Sequence, residues 1–368
     1  MKKILSLAKS QVVMLVSLIT AIITSFFVPT FPDFIGYINF DVLFILFCLM
    51  AVVQGLVNIN FFKVMSNNLL THIKSLRGLY LFLIMICFFS SMLLTNDVAL
   101  ITFVPFAILV LSSISQQKNI IFVVVMQTIA ANLGSALTPI GNPQNLYLYS
   151  YYSLSIFDFL KITAPLTALS FVLIVITVFI KKQESICAIE VEHISIKSSN
   201  MLFVYILLFL VCILSVSGIL SSIAAFLIIL VFMVIFDRDA LKKVDYSLLV
   251  TFIGFFVFVG NLSNIGAVSE FVTSFLEKSE LLAAFILSQF ISNVPASVFL
   301  SAFTDKSQDI ILGVNIGGLG TLIASFASLI SYRFYSKTQG AATLKYLCVF
   351  TAVCIVFAVL LLLPYIIF

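Results

Sequence analysis

The sequence predicts an all-α polytopic membrane protein with two inverted repeats, each containing a re-entrant helical hairpin and a broken transmembrane helix. Of its 368 residues, 62% are hydrophobic and only 9% are charged, whereas a soluble domain has roughly a quarter of its residues charged. Apolar runs of about 20 residues, long enough to cross roughly 30 Å of hydrocarbon, recur along the chain. A polar tip, Thr95-Asn96-Asp97, also recurs as Ser292-Asn293-Val294 within two of these apolar regions.

The first repeat is predicted over residues 1–180. It contains two spans, an interfacial helix, a hairpin, a broken helix and a closing span, at 10–28, 41–58, 60–76, 79–112, 119–150 and 157–180. The break is predicted from Asn132-Leu133-Gly134 and the following Thr138–Asn145 segment, TPIGNPQN, because prolines and glycines there free backbone groups. A backbone break at membrane depth must be buried in protein or line a polar cavity.

A cytoplasmic linker and connecting span are predicted at 181–218, followed by the second repeat at 219–368. This repeat contains two spans, an amphipathic stretch, a hairpin, a broken helix and a final span, at 219–236, 246–262, 264–279, 281–304, 309–334 and 343–367. Asn315-Ile316-Gly317 repeats the Asn-x-Gly pattern of the first broken helix, and Thr321 to Ser325 corresponds to Thr138 to Asn142. The second segment has no proline.

The distribution of basic residues predicts the orientation of about nine full spans plus two hairpins. With the N-terminus in the cytoplasm, all but three of the 19 Lys and Arg residues fall on the cytoplasmic side, the exceptions being Lys161, Lys278 and Lys306. This asymmetry follows the positive-inside rule. It predicts a multi-pass protein of the cytoplasmic (inner) membrane whose C-terminus lies on the external side. It gives no reason to expect a nucleic-acid partner. We expect no cofactor, no metal other than bound Na⁺, and no enzymatic activity.

Asp97 is the only acidic residue that the sequence places deep in an apolar region. A charged Asp at the centre of a membrane helix costs roughly 2.5 to 3.5 kcal/mol, so it should be protonated, paired or facing a polar cavity. The structural alternative is an N-cap for an arm beginning at Val98. The two interpretations are compatible.

The serines and asparagines of the two hairpins are candidates for cation binding. Ser91, Asn96, Ser288 and Asn293 supply uncharged oxygens, and carbonyls near Gly141 and Ala324 could complete two sites of the kind found at broken helices. The alternative is interhelical hydrogen bonding, which is common for these residue types in membranes. The repetition of the pattern in both halves favours binding.

The motifs TNDVA, SNVPA and TPIGNPQN resemble those of the ion-transporter superfamily, in particular its arsenite-permease and NhaD-type sodium/proton antiporter branch, which is related to citrate and dicarboxylate carriers. The resemblance covers nearly the whole chain. It implies one cation site at Ser91, Thr95, Asn96 and Gly141, and a second at Ser288, Ser292, Asn293 and Ala324. It further implies substrate contacts at Asp97, Asn142, Pro143, Val294 and Ser325.

Asp97 and Val294 occupy positions where dicarboxylate carriers of this superfamily have threonines, and Asp97 would fit a proton-coupling role. We therefore expect a secondary active transporter for a small inorganic ion or anion, coupled to H⁺ or Na⁺ by alternating access. A sodium-coupled di- or tricarboxylate importer is the first alternative, and a passive ion channel or a non-transporting membrane scaffold are others. Membrane lipid and a second copy of the chain, as a homodimer, are the further partners to consider.

Overall fold

The computed structural model describes residues 12–28, 34–70, 73–184, 194–276 and 278–367. Within these ranges the chain forms α-helices and no β-strand. Seven of the helices are long and apolar enough to cross a membrane, and several shorter apolar helices accompany them. Many large side chains on the later helices, such as Phe203, Ile235 and Ile355, are exposed, as a surface in contact with lipid requires. The predicted class, an all-α polytopic membrane protein, is confirmed.

The described part of the first half contains eight α-helices and one short 3-10 helix, Gln117–Asn119. The α-helices are α1 (Val12–Ser25), α2 (Phe40–Asn58), α3 (Phe61–Leu70), α4 (Leu76–Ser91), α5 (Asn96–Ser113), α6 (Ile120–Ser135), α7 (Pro143–Tyr151) and α8 (Ile156–Phe179). The predicted break is the segment between α6 and α7. Helix α7 begins there because Pro143 occupies its first turn and the Asn142 side chain caps it, accepting the Asn145 N–H at 2.8 Å.

The second half contains ten described helices. They are α9 (Ser199–Val216), α10 (Ser222–Phe236), α11 (Arg238–Lys242), α12 (Tyr246–Ser263), α13 (Gly266–Leu276), α14 (Glu280–Ile291), α15 (Asn293–Ser301), α16 (Ser307–Gly317), α17 (Phe326–Ser336) and α18 (Thr343–Ile367). The predicted hairpin corresponds to α14 and α15, and the predicted broken helix to α16 and α17.

The second break forms without a proline. Gly320 has φ +131°, a conformation that side chains disfavour, and a Cβ at this position would lie 2.2 Å from Gln289 Oε1. The Gln289 amide nitrogen donates to the carbonyls of Gly317 and Leu319, at 2.8 and 3.0 Å, and its oxygen accepts the Thr321 N–H at 3.1 Å. Gln289 therefore supplies partners for backbone groups that the interrupted helix leaves unpaired.

Helix contacts occur in matched pairs that follow the sequence repeat, some within a half and some between the halves. Helix α4 packs against α6 as α14 packs against α16, and α1 against α12 as α10 against α2. The second arm of each hairpin also reaches the opposite half, since α5 packs against α17 and α15 against α7. The domain boundaries at 1–180, 181–218 and 219–368, and the inversion of the halves, stay predictions.

Glycine at the end of each Asn-x-Gly motif permits the close packing of hairpin and broken helix. A Cβ at Gly134 would lie 2.1 Å from the Phe88 carbonyl oxygen and 2.8 Å from Ser91 Oγ. A Cβ at Gly317 would lie 2.7 Å from both Cβ and Oγ of Ser288. Both glycines thus let a hairpin serine approach the backbone of its own broken helix.

Contacts between helix ends form two separate sets. One set joins Arg77 to the Lys181 carbonyl, Lys243 to Asn58, and Lys197 to the Ile59 carbonyl. The other joins Ser222 to Asp41, Asn264 to Tyr37, and Tyr152 to the Thr304 carbonyl. These are the groupings that alternate crossings predict, with the more basic set on the side we predict to be cytoplasmic.

The second set contains an ion pair at the open end of the second hairpin. Lys306 Nζ lies 2.9 Å from Glu280 Oε1, joining the loop after α15 to the start of α14. Hydrogen bonding to the Glu280 carboxylate raises the pKa of Lys306. Because Lys306 is exposed, the pair is screened by solvent and contributes little to stability.

Candidate functional site

Each hairpin tip is held against the break of its own broken helix by one backbone hydrogen bond. The Asn96 N–H donates to the Gly141 carbonyl at 3.1 Å, and the Asn293 N–H donates to the Ala324 carbonyl at 2.9 Å. The structure therefore brings together the residue pairs from which two cation sites were predicted. A carbonyl oxygen carries two lone pairs, so the Gly141 carbonyl retains one that could bind an ion, and the second contact of the Ala324 carbonyl is a long one, with the Ser292 hydroxyl at 3.4 Å.

A second hydrogen bond reinforces each contact. The Thr138 hydroxyl donates to the Met92 carbonyl, and the Thr321 hydroxyl donates to the Gln289 carbonyl at 3.1 Å. The two threonines occupy matching positions of the sequence repeat, and so do their two acceptors. The repeat inferred from the sequence thus extends to individual contacts.

Ser91 and Ser288 lie fully buried beneath the two tips. Their hydroxyls donate to carbonyls of their own helices, Ser91 to Phe88 at 2.9 Å and Ser288 to Ala284 at 2.7 Å. Donation fixes each proton and leaves the oxygen lone pairs available. Both oxygens can therefore act as cation ligands while satisfying the helix.

The Asn96 carboxamide is buried, and its nitrogen and its oxygen each make one hydrogen bond. Its Nδ2 donates to Asn132 Oδ1 at 2.9 Å, and its Oδ1 accepts the Asp97 N–H at 3.0 Å. Thr95, which precedes α5, makes no capping hydrogen bond with its side chain. The first tip consequently contributes a fixed amide oxygen and a neighbouring hydroxyl.

The second tip has a different backbone. Ser292 adopts φ +77° and ψ 153°, a region populated almost only by glycine. Its hydroxyl approaches the Ala324 carbonyl at 3.4 Å and Asn293 Oδ1 at 3.5 Å, at the limit of hydrogen-bond length. Val294 follows as a half-buried apolar residue.

Asp97 is half-buried and is the second residue of α5, which begins at Asn96 rather than Val98. Its interpretation as an N-cap is therefore wrong, because the tip backbone is already helical at Asn96. Among the described residues, the ion pairs are those of Lys242 with Asp239 and of Lys306 with Glu280, and none includes Asp97. Among the described residues, Asp97 therefore has no basic residue within ion-pair distance at the tip.

Asn142 and Ser325, predicted to contact substrate, join the two halves of the protein. Asn142 Nδ2 donates to Asn315 Oδ1 at 3.2 Å, and Ser325 Oγ donates to Asn132 Oδ1 at 2.9 Å. Both side chains are 1% exposed, and Pro143 beside Asn142 is buried. Each break is thus bonded to the Asn-x-Gly asparagine of the opposite half.

Three residues of this network had no predicted site role: Asn132, Asn315 and Gln289. The Asn-x-Gly repeat was visible in the sequence, but it indicated only a break. The asparagines were missed because their partners lie in the other half, at a sequence separation of 173 or 193 residues. Gln289 has no polar counterpart in the first half, where Met92 occupies the matching position.

A pocket of about 460 Å³ lies beside α7, the helix that begins at the first break. It is lined by residues 36–41 together with Tyr147, Tyr151 and Phe256. The Tyr147 hydroxyl lies 3.0 Å from Ser301 Oγ, which connects this wall to the second hairpin. The pocket therefore opens at the end of the molecule where α2 begins.

The ligands at the two tips are oxygen atoms. Within the described residues, no group of three or more His, Cys, Asp or Glu side chains could hold a metal. The available ligands are hydroxyl, amide and backbone carbonyl oxygens, which suit hard cations. Such a set, with one carboxylate nearby, can exchange a cation or a proton during a transport cycle.

Comparison with known proteins identifies similar chains. A family model described as Citrate transporter (CitMHS) matches residues 2–309. A protein of Methanocaldococcus jannaschii described as an uncharacterized transporter is 34% identical over 80% of this chain and 81% of its own length. The inner membrane protein YbiR of Escherichia coli is 29% identical over 84% of each chain. A Dictyostelium discoideum protein named as a transporter, arsB, is 31% identical over 40% of this chain and 26% of its own length.

Proposed function

The chain belongs to the CitMHS citrate transporter family, and on that premise we propose that it is a secondary active transporter for a small inorganic ion or anion. In this proposal the energy comes from a gradient of H⁺ or Na⁺. The protein lies in the cytoplasmic membrane with its N-terminus inside and its C-terminus outside, as the distribution of basic residues predicts.

The observation that carries the proposal is the matched docking of the two tips on the two breaks. Asn96 bonds the Gly141 carbonyl and Asn293 bonds the Ala324 carbonyl, so both halves present the same kind of oxygen cluster. Repeated half-sites at broken helices support alternating access, in which the site opens first to one side of the membrane and then to the other.

Asp97 supports the coupling to H⁺ in this proposal. A carboxylate without a basic partner at membrane depth is costly when charged, so its ionisation depends on a proton, a cation or hydrogen-bond donors. Na⁺ held by Ser91, Thr95, Asn96 and Gly141, with a second Na⁺ at Ser288, Ser292, Asn293 and Ala324, is the alternative coupling. Coupling to H⁺ requires Asp97 to bind and release a proton during the cycle, whereas coupling to Na⁺ does not.

The family description favours a citrate-like carboxylate as a second candidate substrate. Asp97 argues against it, because two unit charges 4 Å apart at an effective dielectric constant of 20 repel by about 4 kcal/mol. That energy corresponds to nearly a thousandfold loss of affinity for each such pair. A neutral solute avoids this cost, and a singly charged anion meets it once where a di-anion meets it up to twice.

The proposal is tested by counterflow uptake in proteoliposomes. Vesicles preloaded with arsenite, Na⁺, sulfate, succinate or citrate are diluted into a trace of the same labelled solute. We expect one of the inorganic solutes to accumulate transiently above its equilibrium level. Accumulation of citrate or succinate alone would support the carboxylate importer, and no accumulation of any solute would contradict carrier-mediated transport of this panel.

A further inference from the structure

The correspondence between the two broken helices extends one helical turn beyond the breaks. Residues of the first broken helix match residues 183 positions later, and the matched pairs include Asn132 with Asn315, Gly134 with Gly317, Thr138 with Thr321, Gly141 with Ala324, and Asn142 with Ser325. At the same spacing, Asn145 of α7 corresponds to Ser328 of α17. These two residues differ in length and in chemistry.

In one half, this position completes a hydrogen bond across the molecule. Asn315 Nδ2 donates to Asn145 Oδ1 at 2.7 Å. The Asn145 amide nitrogen in turn approaches the carbonyls of Ser135, Ala136 and Thr138 at 3.2 to 3.3 Å. The carboxamides of Asn145 and Asn315 therefore both have partners.

In the other half, the matching atoms have none. Asn132 Nδ2 and Ser328 Oγ are both buried, with the residues 4% and 0% exposed, and neither has a hydrogen-bond partner in the described part of the chain. The serine oxygen is attached to Cβ, whereas the asparagine oxygen is one bond further along the side chain. The shorter side chain of Ser328 thus leaves the Asn132 Nδ2 donor without the acceptor that Asn145 Oδ1 provides for Asn315.

The orientation of the Asn132 amide is fixed by its other contacts. Its Oδ1 accepts hydrogen bonds from Asn96 Nδ2 and Ser325 Oγ, each at 2.9 Å. Exchanging the amide oxygen and nitrogen would place a donor against the Asn96 Nδ2 donor and lose that bond, although the Ser325 hydroxyl could then accept instead of donate. The Nδ2 group must therefore point toward the unpartnered side, where an isolated buried donor is unfavourable.

We propose that Asn132 Nδ2 and Ser328 Oγ bind an oxygen atom of the transported solute. This inference rests on the proposed transport function and adds two residues to its site. Amide N–H groups only donate, and a hydroxyl can donate, so the pair suits an accepting oxygen and not a cation. Asn96, which fixes Asn132, directly precedes Asp97, so a neutral oxyacid or a singly charged oxyanion fits better than a di-anion.

The same two donors would also suit an ordered water molecule, and a variant separates the two ligands. Ser328→Asn supplies the carboxamide that Asn145 supplies in the other half, and from the matching bond of Asn315 to Asn145 we expect its Oδ1 to accept from Asn132 Nδ2. We expect a higher apparent Tm in detergent and at least a tenfold weaker affinity for arsenite, a neutral oxyacid at pH 7, in counterflow; a wild type that transports sulfate or Na⁺ but not arsenite overturns the inference. A raised Tm with unchanged affinity shows water only and overturns the inference.

Matched variants keep the test decisive if Ser328→Asn fails to fold. Ser328→Ala removes the hydroxyl without adding bulk, and we expect affinity to fall several-fold with Tm unchanged; an unchanged affinity overturns the inference. Asn145→Ser creates the same gap in the other half and should lower Tm. Failure of the wild type to transport any tested solute contradicts the proposed function itself, whereas transport with wild-type affinity in both Ser328 variants contradicts only this assignment.

Discussion

In the first hairpin, residues 92–95 separate α4 from α5, whereas in the second only Ser292 separates α14 from α15. Both tips nevertheless donate a backbone N–H to a carbonyl of the break, Asn96 to Gly141 and Asn293 to Ala324. Because the shared contact is made by the main chain, side chains around it can differ without losing the docking. Only the first tip has an ionisable side chain, Asp97, where the second has Val294.

The carboxyl group of Asp97 is the largest difference between the two tips, and Asp97→Asn removes it. The variant keeps the size and one oxygen but cannot ionise, so we expect uptake to lose its dependence on an imposed pH gradient entirely. Val294→Asn, the matched change at the other tip, should retain that dependence. The measurement is proteoliposome uptake with and without a pH gradient. If the pH gradient affects uptake by the wild type and by Asp97→Asn equally, the coupling ion binds at another site.

The packing of hairpin on broken helix should be less tolerant in the first half. Gly134→Ala would place a methyl group 2.1 Å from a backbone oxygen, whereas at Gly317 the nearest atoms belong to the Ser288 side chain, at 2.7 Å. We expect a loss of about 3 kcal/mol for Gly134→Ala and about 1 to 2 kcal/mol for Gly317→Ala.

Thermal or denaturant unfolding in detergent measures both changes. Gly266→Ala is the control, since a Cβ there would meet nothing within 4 Å, and its effect should stay within about 0.5 kcal/mol. Equal losses at Gly134 and Gly317 would show that the two contacts are equivalent.

The tip asparagines should differ in their structural contribution but not in their importance for transport. Asn96→Ala leaves the Asp97 N–H without its side-chain acceptor and removes one donor to Asn132, at a cost of roughly 1 to 3 kcal/mol. Asn293→Ala loses only a 3.5 Å contact with Ser292, so its cost should be smaller. Both variants should reach the membrane and lose transport. If both variants take up solute at the wild-type rate, the two asparagines have only a packing role.

Glycine substitutions at the two tips should change the free energy of unfolding in opposite directions. Ser292 has φ +77° and Thr95 has φ −31°. Ser292→Gly should stabilise the protein by about 1 kcal/mol because it relieves strain. Thr95→Gly should destabilise it by roughly 0.5 to 1 kcal/mol because it adds freedom to the unfolded chain. Unfolding midpoints of the two variants test this, and a loss in both would indicate that Ser292 is unstrained.

Much of the fold could be predicted because apolar runs and helix breaks are local features of the sequence. The hairpins and both broken helices follow from Thr95-Asn96, Ser292-Asn293 and the Asn-x-Gly pairs. The first break was also marked by its prolines. The second was less evident, because its unwinding depends on Gln289, which is distant in sequence from the backbone groups it binds.

Only those contacts of the candidate site that lie within one half of the chain could be predicted from the sequence. The pairing of Asn96 with Gly141, and of Asn293 with Ala324, was expected from repeated motifs within one half. The bonds from Asn142 to Asn315 and from Ser325 to Asn132 were not, since nothing local specifies a partner 173 or 193 residues away. The cation, substrate and proton-coupling roles stay predictions until transport is measured.

The bonds between the halves also set an order for biosynthesis. Asn132 leaves the ribosome 193 residues before Ser325, its hydrogen-bond partner. At about 5 to 20 residues per second, the interval is roughly 10 to 40 seconds. During that time the first broken helix is already in the bilayer, and polar groups that will bond the second half must be shielded by lipid headgroups, water or the insertion machinery. A nascent chain stalled between the halves would therefore lack the partners of Asn132 and Asn142 in the second half.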